Sequence, residues 1–230
     1  MRRNFGITAA GKPAEEIMAN RNREQSTSLT LTFAPRRPED PEPIRWFSPL
    51  LQQGFIARAR VGFSIRELLC DQFGIRPDYL SGRITTIFLN SRAIDDPASS
   101  RVAAGATLAL SAAMPGLVGA TMRCGGYYAA MRSDITHHGF AGDGAQGNGE
   151  IRVKLFNLLM AELGPGFLLR GIQLPAPDLA EFLVAQPQEF WAGCRSILLE
   201  GRPVEPELLK ASLRSIPAEE PVALRVIFEE

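Results

Sequence analysis

A chain of 230 residues is long enough for one large domain or for two that each bury a core. With 45% hydrophobic and 22% charged residues it has the composition of an ordinary globular protein. Its 25 basic and 25 acidic residues balance, which offers nothing to an obligate polyanion binder. The balance is global and not local: residues 1–134 carry 17 Arg and Lys against 12 Asp and Glu, and residues 135–230 carry 8 against 13. The two parts are therefore oppositely charged, either as separately solvated surfaces or as faces that attract each other or a common partner. No Lys/Arg run interleaved with aromatics points to nucleic acid. The most apolar stretch, residues 103–120, is broken by Gly105, Pro115 and Gly116, so no membrane span is expected. The basic N-terminus lacks the apolar core of a secretory signal. Cys70, Cys124 and Cys194 are odd in number and far apart, which argues for a reducing, cytoplasmic setting.

In chain order, residues 1–28 show no sustained period and read as a mobile tail. Residues 29–33 (LTLTF) alternate as a half-buried strand does. The Pro-rich residues 35–43 cannot join a sheet interior. Residues 44–47 (IRWF) read as extended, 48–54 as a turn, and 55–61 as a strand with Phe55, Ala57, Ala59 and Val61 on one face, which together predict a hairpin. Ser64 and Glu67 fit a capping box. Ile65, Leu68, Leu69 and Phe73 follow at helical spacing, and Gly74 supplies a left-handed stop. Residues 84–89 read as a buried strand, Asn90-Ser91-Arg92 as a turn, and 107–112 as another strand.

The same order recurs later. Residues 151–156 match 44–47, Leu158-Leu159 match Leu50-Leu51, and 167–174 match 55–61. Asp178 and Glu181 replace the capping box, with Phe182-Leu183 for Leu68-Leu69. Residues 196–199 match 86–89, Gly201-Arg202 match Ser91-Arg92, and 222–228 supply the last strand. Between the copies, residues 139–149 hold five glycines, too much backbone freedom for a packed element. The expected organisation is a tail (1–28), a first domain (29–134) with an apolar insertion (112–131), a linker (135–149) and a second domain (150–230).

Strand, return, capped helix, strand, turn and a last strand announced by glycine is an order that resembles the ubiquitin-like β-grasp superfamily. The features that carry it are the helix over 65–73, the segment ITTIFLNSRAI and the segment AAGATLALSAAM. These are most similar to the sulfur-carrier branch, which includes the small subunit of molybdopterin synthase and the thiamine-pathway carrier. The resemblance covers about residues 44–113 and 150–230. It implies an α+β fold of two tandem β-grasp units joined by the Gly-rich linker. Carriers of that branch act through a C-terminal Gly-Gly. Here Gly125-Gly126 is followed by Tyr127 and over a hundred further residues, so a carrier role implies processing after Gly126.

Candidate chemistry is sparse. His137 and His138 are adjacent and cannot share one tetrahedral site without a bent backbone; Asp134 and Asp143 are the nearby oxygens, and no metal site is expected. The glycines of 139–149 precede a strand-like segment and no GK[ST] follows, so no phosphate loop is expected. Of the cysteines, Cys124 beside Arg123 is the one to test for reactivity. No base, nucleophile and orienting acid fall together, so neither an enzyme nor a cofactor is expected. Met and Tyr concentrate in residues 112–131, which have no counterpart in the second copy. Such a stretch either packs between the copies or forms an adaptable contact surface. The residues expected to meet a protein partner are Met114, Leu117, Met122, Tyr127, Tyr128 and Met131, with Arg123 and Arg132 at the rim. The function this points to is a non-catalytic interaction or scaffold module, and the alternative is a processed carrier or conjugating protein.

Overall fold

Alternating side chains build the strands. In a computed structural model that describes residues 26–34, 42–112, 114, 116–128 and 146–229, β1 (Ser28–Phe33) buries Leu29, Leu31 and Phe33 and leaves Ser28, Thr30 and Thr32 on the other face. The expected tail, apart from residues 26–28, and residues 135–145 of the expected linker lie outside the described residues. The same period of two runs through β2 (Phe55–Val61), β5 (Thr107–Ser111), β6 (Gly147–Phe156) and β10 (Pro221–Phe228). Two tight hairpins complete the set: β3 (Thr86–Leu89) with β4 (Arg92–Ala93), and β8 (Cys194–Leu199) with β9 (Arg202–Pro203). Their turns place Asn90 and Ser91 at φ 50° and 64°, and Glu200 and Gly201 at 51° and 73°. Two consecutive left-handed residues match the twist of a hairpin, so the sequence match at these turns is also a structural one.

With β7 (Ile172–Pro175), the ten described strands form one mixed, open sheet in the order β4-β3-β5-β6-β2-β7-β10-β1-β8-β9. From its centre outward, each half has the same directions. β2-β6-β5-β3-β4 runs antiparallel, parallel, antiparallel, antiparallel, and so does β7-β10-β1-β8-β9. The halves do not follow the chain. β1, from the N-terminal segment, lies between β10 and β8; β6, from the C-terminal segment, lies between β5 and β2. Each sequence segment thus contributes one strand to the opposite half.

Among the described residues eight helices accompany the sheet. They are α1 (Ser48–Gln53), α2 (Ile65–Glu67), α3 (Pro77–Gly82), α4 (Gly116–Met122), α5 (Leu158–Arg170), α6 (Ala176–Val184), α7 (Gln188–Gly193) and α8 (Pro206–Arg214). The Ser64–Glu67 capping box is present in full: the Glu67 amide donates to Ser64 Oγ at 3.2 Å, and the Ser64 amide donates to Glu67 Oε2 at 2.8 Å. The Ser64 hydroxyl, which donates to Glu67 Oε2 at 2.7 Å, and then the Ser64 amide hold the Glu67 carboxyl below its ordinary pKa. Ring contacts fix which sheet face is covered. Phe33 of β1 meets Phe47 and Phe190, Phe55 of β2 meets Phe167, and Phe47 meets Phe182, so α5, α6 and α7 pack on the face of Leu29, Leu31 and Phe33.

Five expectations are corrected. No hairpin joins 44–47 to 55–61, because β2 pairs with β6 and, at one residue, with β7. Residues 44–47 are helical: Pro43 opens a 3-10 turn (Pro43–Phe47) that runs into α1, and Ile44, Phe47, Leu50 and Leu51 are buried at helical spacing. Residues 167–170 end helix α5 rather than begin a strand, and Gly171 at φ 94° stops it. Asp178 and Glu181 form no capping box, since α6 starts two residues earlier behind Pro175 and Asp178 lies in its first turn. Finally, Gly147 to Gly149 are strand, paired with Val61 to Ala59. A Cβ at Gly149 would lie 2.9 Å from Val61 Cγ1, so there glycine serves close approach rather than freedom.

A polar cluster on α5 is among the links between the two segments. Glu162 of α5 accepts from Tyr79 Oη and from Arg83 Nε and Nη2. Arg83 first, then Tyr79, hold the Glu162 carboxyl below its ordinary pKa; burial and Glu162 raise that of Tyr79. A depressed carboxyl stabilises above its unfolded pKa of about 4.3 and loses that contribution as pH falls through the folded value. The pair is partly exposed, so the effect is small. Glu162→Gln is expected to flatten the fall of melting temperature between about pH 5 and pH 3; an unchanged slope would remove Glu162 from the acid response.

Candidate functional site

The insertion after β5 holds most of the residues expected to bind a partner. In α4, Leu117 and Val118 are 70% and 62% exposed, while Met114 and Met122 are half-buried. Gly119 is buried against Met114, where an added Cβ would fall 1.9 Å from the Met114 carbonyl oxygen. After α4 the chain is pinned to the sheet: the Cys124 amide donates to the Thr85 carbonyl at 2.8 Å, and the Gly125 amide donates to Asp95 Oδ1 at 3.1 Å. The exposed Arg123 precedes this anchor. Gly125 takes φ 58° and the Gly126 amide donates back to the Arg123 carbonyl, so Gly125-Gly126 is a surface turn. Tyr127 then projects at 93% exposure, its ring edge-on to Tyr128 at 5.1 Å. Four of the eight exposed large apolar side chains among the described residues fall within residues 117–128, a concentration that sets this stretch apart from singly scattered surface apolars. Met131 and Arg132 lie outside the described residues, as do Asp134, His137, His138 and Asp143.

Beside the turn is a cavity of about 420 Å³ lined by Ser81, Thr85, Arg123, Cys124, Gly126 and Tyr127. The Cys124 thiol donates to the Asp95 carbonyl at 3.0 Å. Burial pushes the Cys194 thiol up to about 11 and raises that of Cys70, as small core residues should behave.

A second feature had no signal in the sequence. At the middle of the sheet, β2 and β7 pair only at Ile56 and Gln173. Beyond that bridge a cleft of about 830 Å³ opens, lined by Arg58, Arg60, Gln72, Phe73, Glu150 and Arg170 among others. Gln72 stands in for the missing strand, accepting from the Arg60 amide at 2.7 Å and donating to the Arg60 carbonyl at 3.0 Å. Arg58 and Arg60 are i and i+2 on one strand and Arg170 ends a helix over a hundred residues on. Only the pairing of distant elements brings the three together.

Fold and site together define a mixed α/β protein with a ten-stranded open sheet, carrying an exposed aromatic insertion and an arginine-lined seam. No helix among the described residues is long and apolar enough to cross a membrane. The chain matches no protein-family model, no curated protein and no solved structure.

Proposed function

We propose that the protein is a non-catalytic, cytoplasmic protein-interaction module made of two β-grasp-like units that have exchanged a strand. The identical strand directions of the two half-sheets, each with a parallel central pair, support the two-unit reading. The observation that carries the functional reading is the cluster of Leu117, Val118, Tyr127 and Tyr128, exposed on an insertion that one half-sheet has and the other lacks. Aromatic side chains on a pinned turn suit a protein contact, since they present large apolar area at low entropy cost. Arg123 provides the polar rim.

The double substitution Tyr127→Ala/Tyr128→Ala tests this. Both rings face solvent, so stability should move by no more than about 0.5 kcal/mol, while retention of the partner in quantitative affinity capture from the native host should fall at least about tenfold. Equal capture by wild type and variant would end the reading, and a large drop in melting temperature would place the rings in the core.

The carrier or conjugating alternative is supported by one observation: Gly125-Gly126 lies at the surface, where a protease could reach the bond to Tyr127. The intact mass of the protein from its native host discriminates. A species ending at Gly126 favours the carrier, and the full 230 residues favour the interaction module.

A further inference from the structure

We infer that the seam between the two half-sheets is a binding site for a small molecule with an oxyanion, a phosphate or carboxylate, attached to an apolar body. A sheet that continues on both sides but is held by one bridge at its centre leaves the edge of β2 open. The Gln72 carboxamide occupies the backbone of Arg60 there, which keeps the edge satisfied without filling the gap. Three guanidiniums surround the opening. Arg58 is held in place by Gln173, whose carboxamide oxygen, in the orientation that satisfies both groups, accepts from Nε at 3.2 Å and Nη2 at 3.0 Å. Glu150 is 3.9 Å from the same group. Arg60 lies over the Phe63 ring at 5.0 Å, and Arg170 Nη2 reaches to within 3.2 Å of where a Cβ on Gly74 would be. Neither Arg60 nor Arg170 has a carboxylate partner among the described residues. Arg60 and Arg170 thus bring to the opening two positive charges that no carboxylate among the described residues offsets, and a planar, two-oxygen anion reaching them offsets that charge with charge-assisted hydrogen bonds. Ala59 and the buried Phe73 form the apolar part of the lining. The volume falls within the range of about 300–1,000 Å³ usual for small-molecule sites. The site shares no lining residue with the insertion, so it does not depend on the proposed interaction surface.

Titration calorimetry and thermal shift at constant ionic strength, with inorganic pyrophosphate and with citrate as probes, test the assignment. One of the two is expected to bind with Kd below about 1 mM, and which one distinguishes a phosphate from a carboxylate ligand. Arg170→Gln and Arg60→Gln are expected to weaken that binding at least about tenfold each while leaving the ligand-free melting temperature unchanged, since both side chains are exposed. The inference is overturned if neither probe binds more tightly than chloride at matched ionic strength. It is equally overturned if both variants keep wild-type affinity, or if only an acidic peptide and neither small anion competes at the cleft.

Discussion

Leu31→Asp is expected to abolish the cooperative thermal transition of the whole protein. β1 is the strand on which the sheet's C-terminal half depends, because it lies between β10 and β8 and pairs with both. Leu31 lies mid-strand at 0% exposure, facing Val226 in parallel register and Ile197 in antiparallel register. A carboxylate there has no cation among its strand neighbours. Burying it unpaired costs several kcal/mol or forces the strand out, and domains of this size hold only about 5–15 kcal/mol in total. If β1 leaves, Leu29 and Phe33 leave with it, and the facing edges of β10 and β8 lose their partners. Thr30→Asp is the control: its side chain points to the other sheet face, in register with Arg225, and it should shift stability by no more than about 1 kcal/mol. Circular dichroism melting of both variants checks the pair. A Leu31→Asp protein that melts like wild type would mean that β1 is not the strand between β10 and β8.

How much of this was legible in the sequence depends on the range of the interaction involved. Local rules were legible. The alternation of residues 29–33, the Ser64–Glu67 box and the turn residues at 90–91 and 200–201 each encode their structure within a few positions. Pairing was not. A period of two states which face of a strand is buried but not which strand lies beside it, so nothing in LTLTF specified β10, nearly two hundred residues away. Residues 158–170 misled for a different reason. Residues 167–174 match a strand in pattern, yet α5 runs through Gly164, Pro165 and Gly166 and on to Arg170. Gly164 lets the helix approach closely, since a Cβ there would lie 2.6 Å from Leu51 Cδ1. Tertiary packing outweighed local propensity. The exposure of Leu117, Tyr127 and Tyr128 matches the unusual composition of their stretch, although Met114 and Met122 in the same stretch are half-buried. The seam arginines could not be picked out, because the cleft is made by an interruption of the sheet.

Phe47→Ala is the other substitution with a large expected effect, and it tests a part of the chain that pattern reading placed in a strand. Phe47 ends the 3-10 turn and is fully buried. Its ring lies 5.7 Å from Phe33, 5.7 Å from Phe182, 5.8 Å from Phe190 and 6.0 Å from Phe228. The residue therefore plugs an N-terminal turn into a cluster otherwise built from β1 and the C-terminal half, and it keeps β1 pressed on its neighbours. Truncation removes the ring's burial and leaves a cavity that four other rings cannot collapse to fill, at a cost of about 3–5 kcal/mol. For a chain of this length that corresponds to a fall of roughly 6–20 °C in melting temperature. Phe47→Leu, which restores most of the volume, should recover the larger part of the loss. Phe190→Ala removes a ring from the same cluster, so the double variant Phe47→Ala/Phe190→Ala should cost less than the two singles added, by about 0.5–3 kcal/mol. Strict additivity in that cycle would mean that the two rings do not share a core, and that residues 44–47 are held somewhere other than against the C-terminal half.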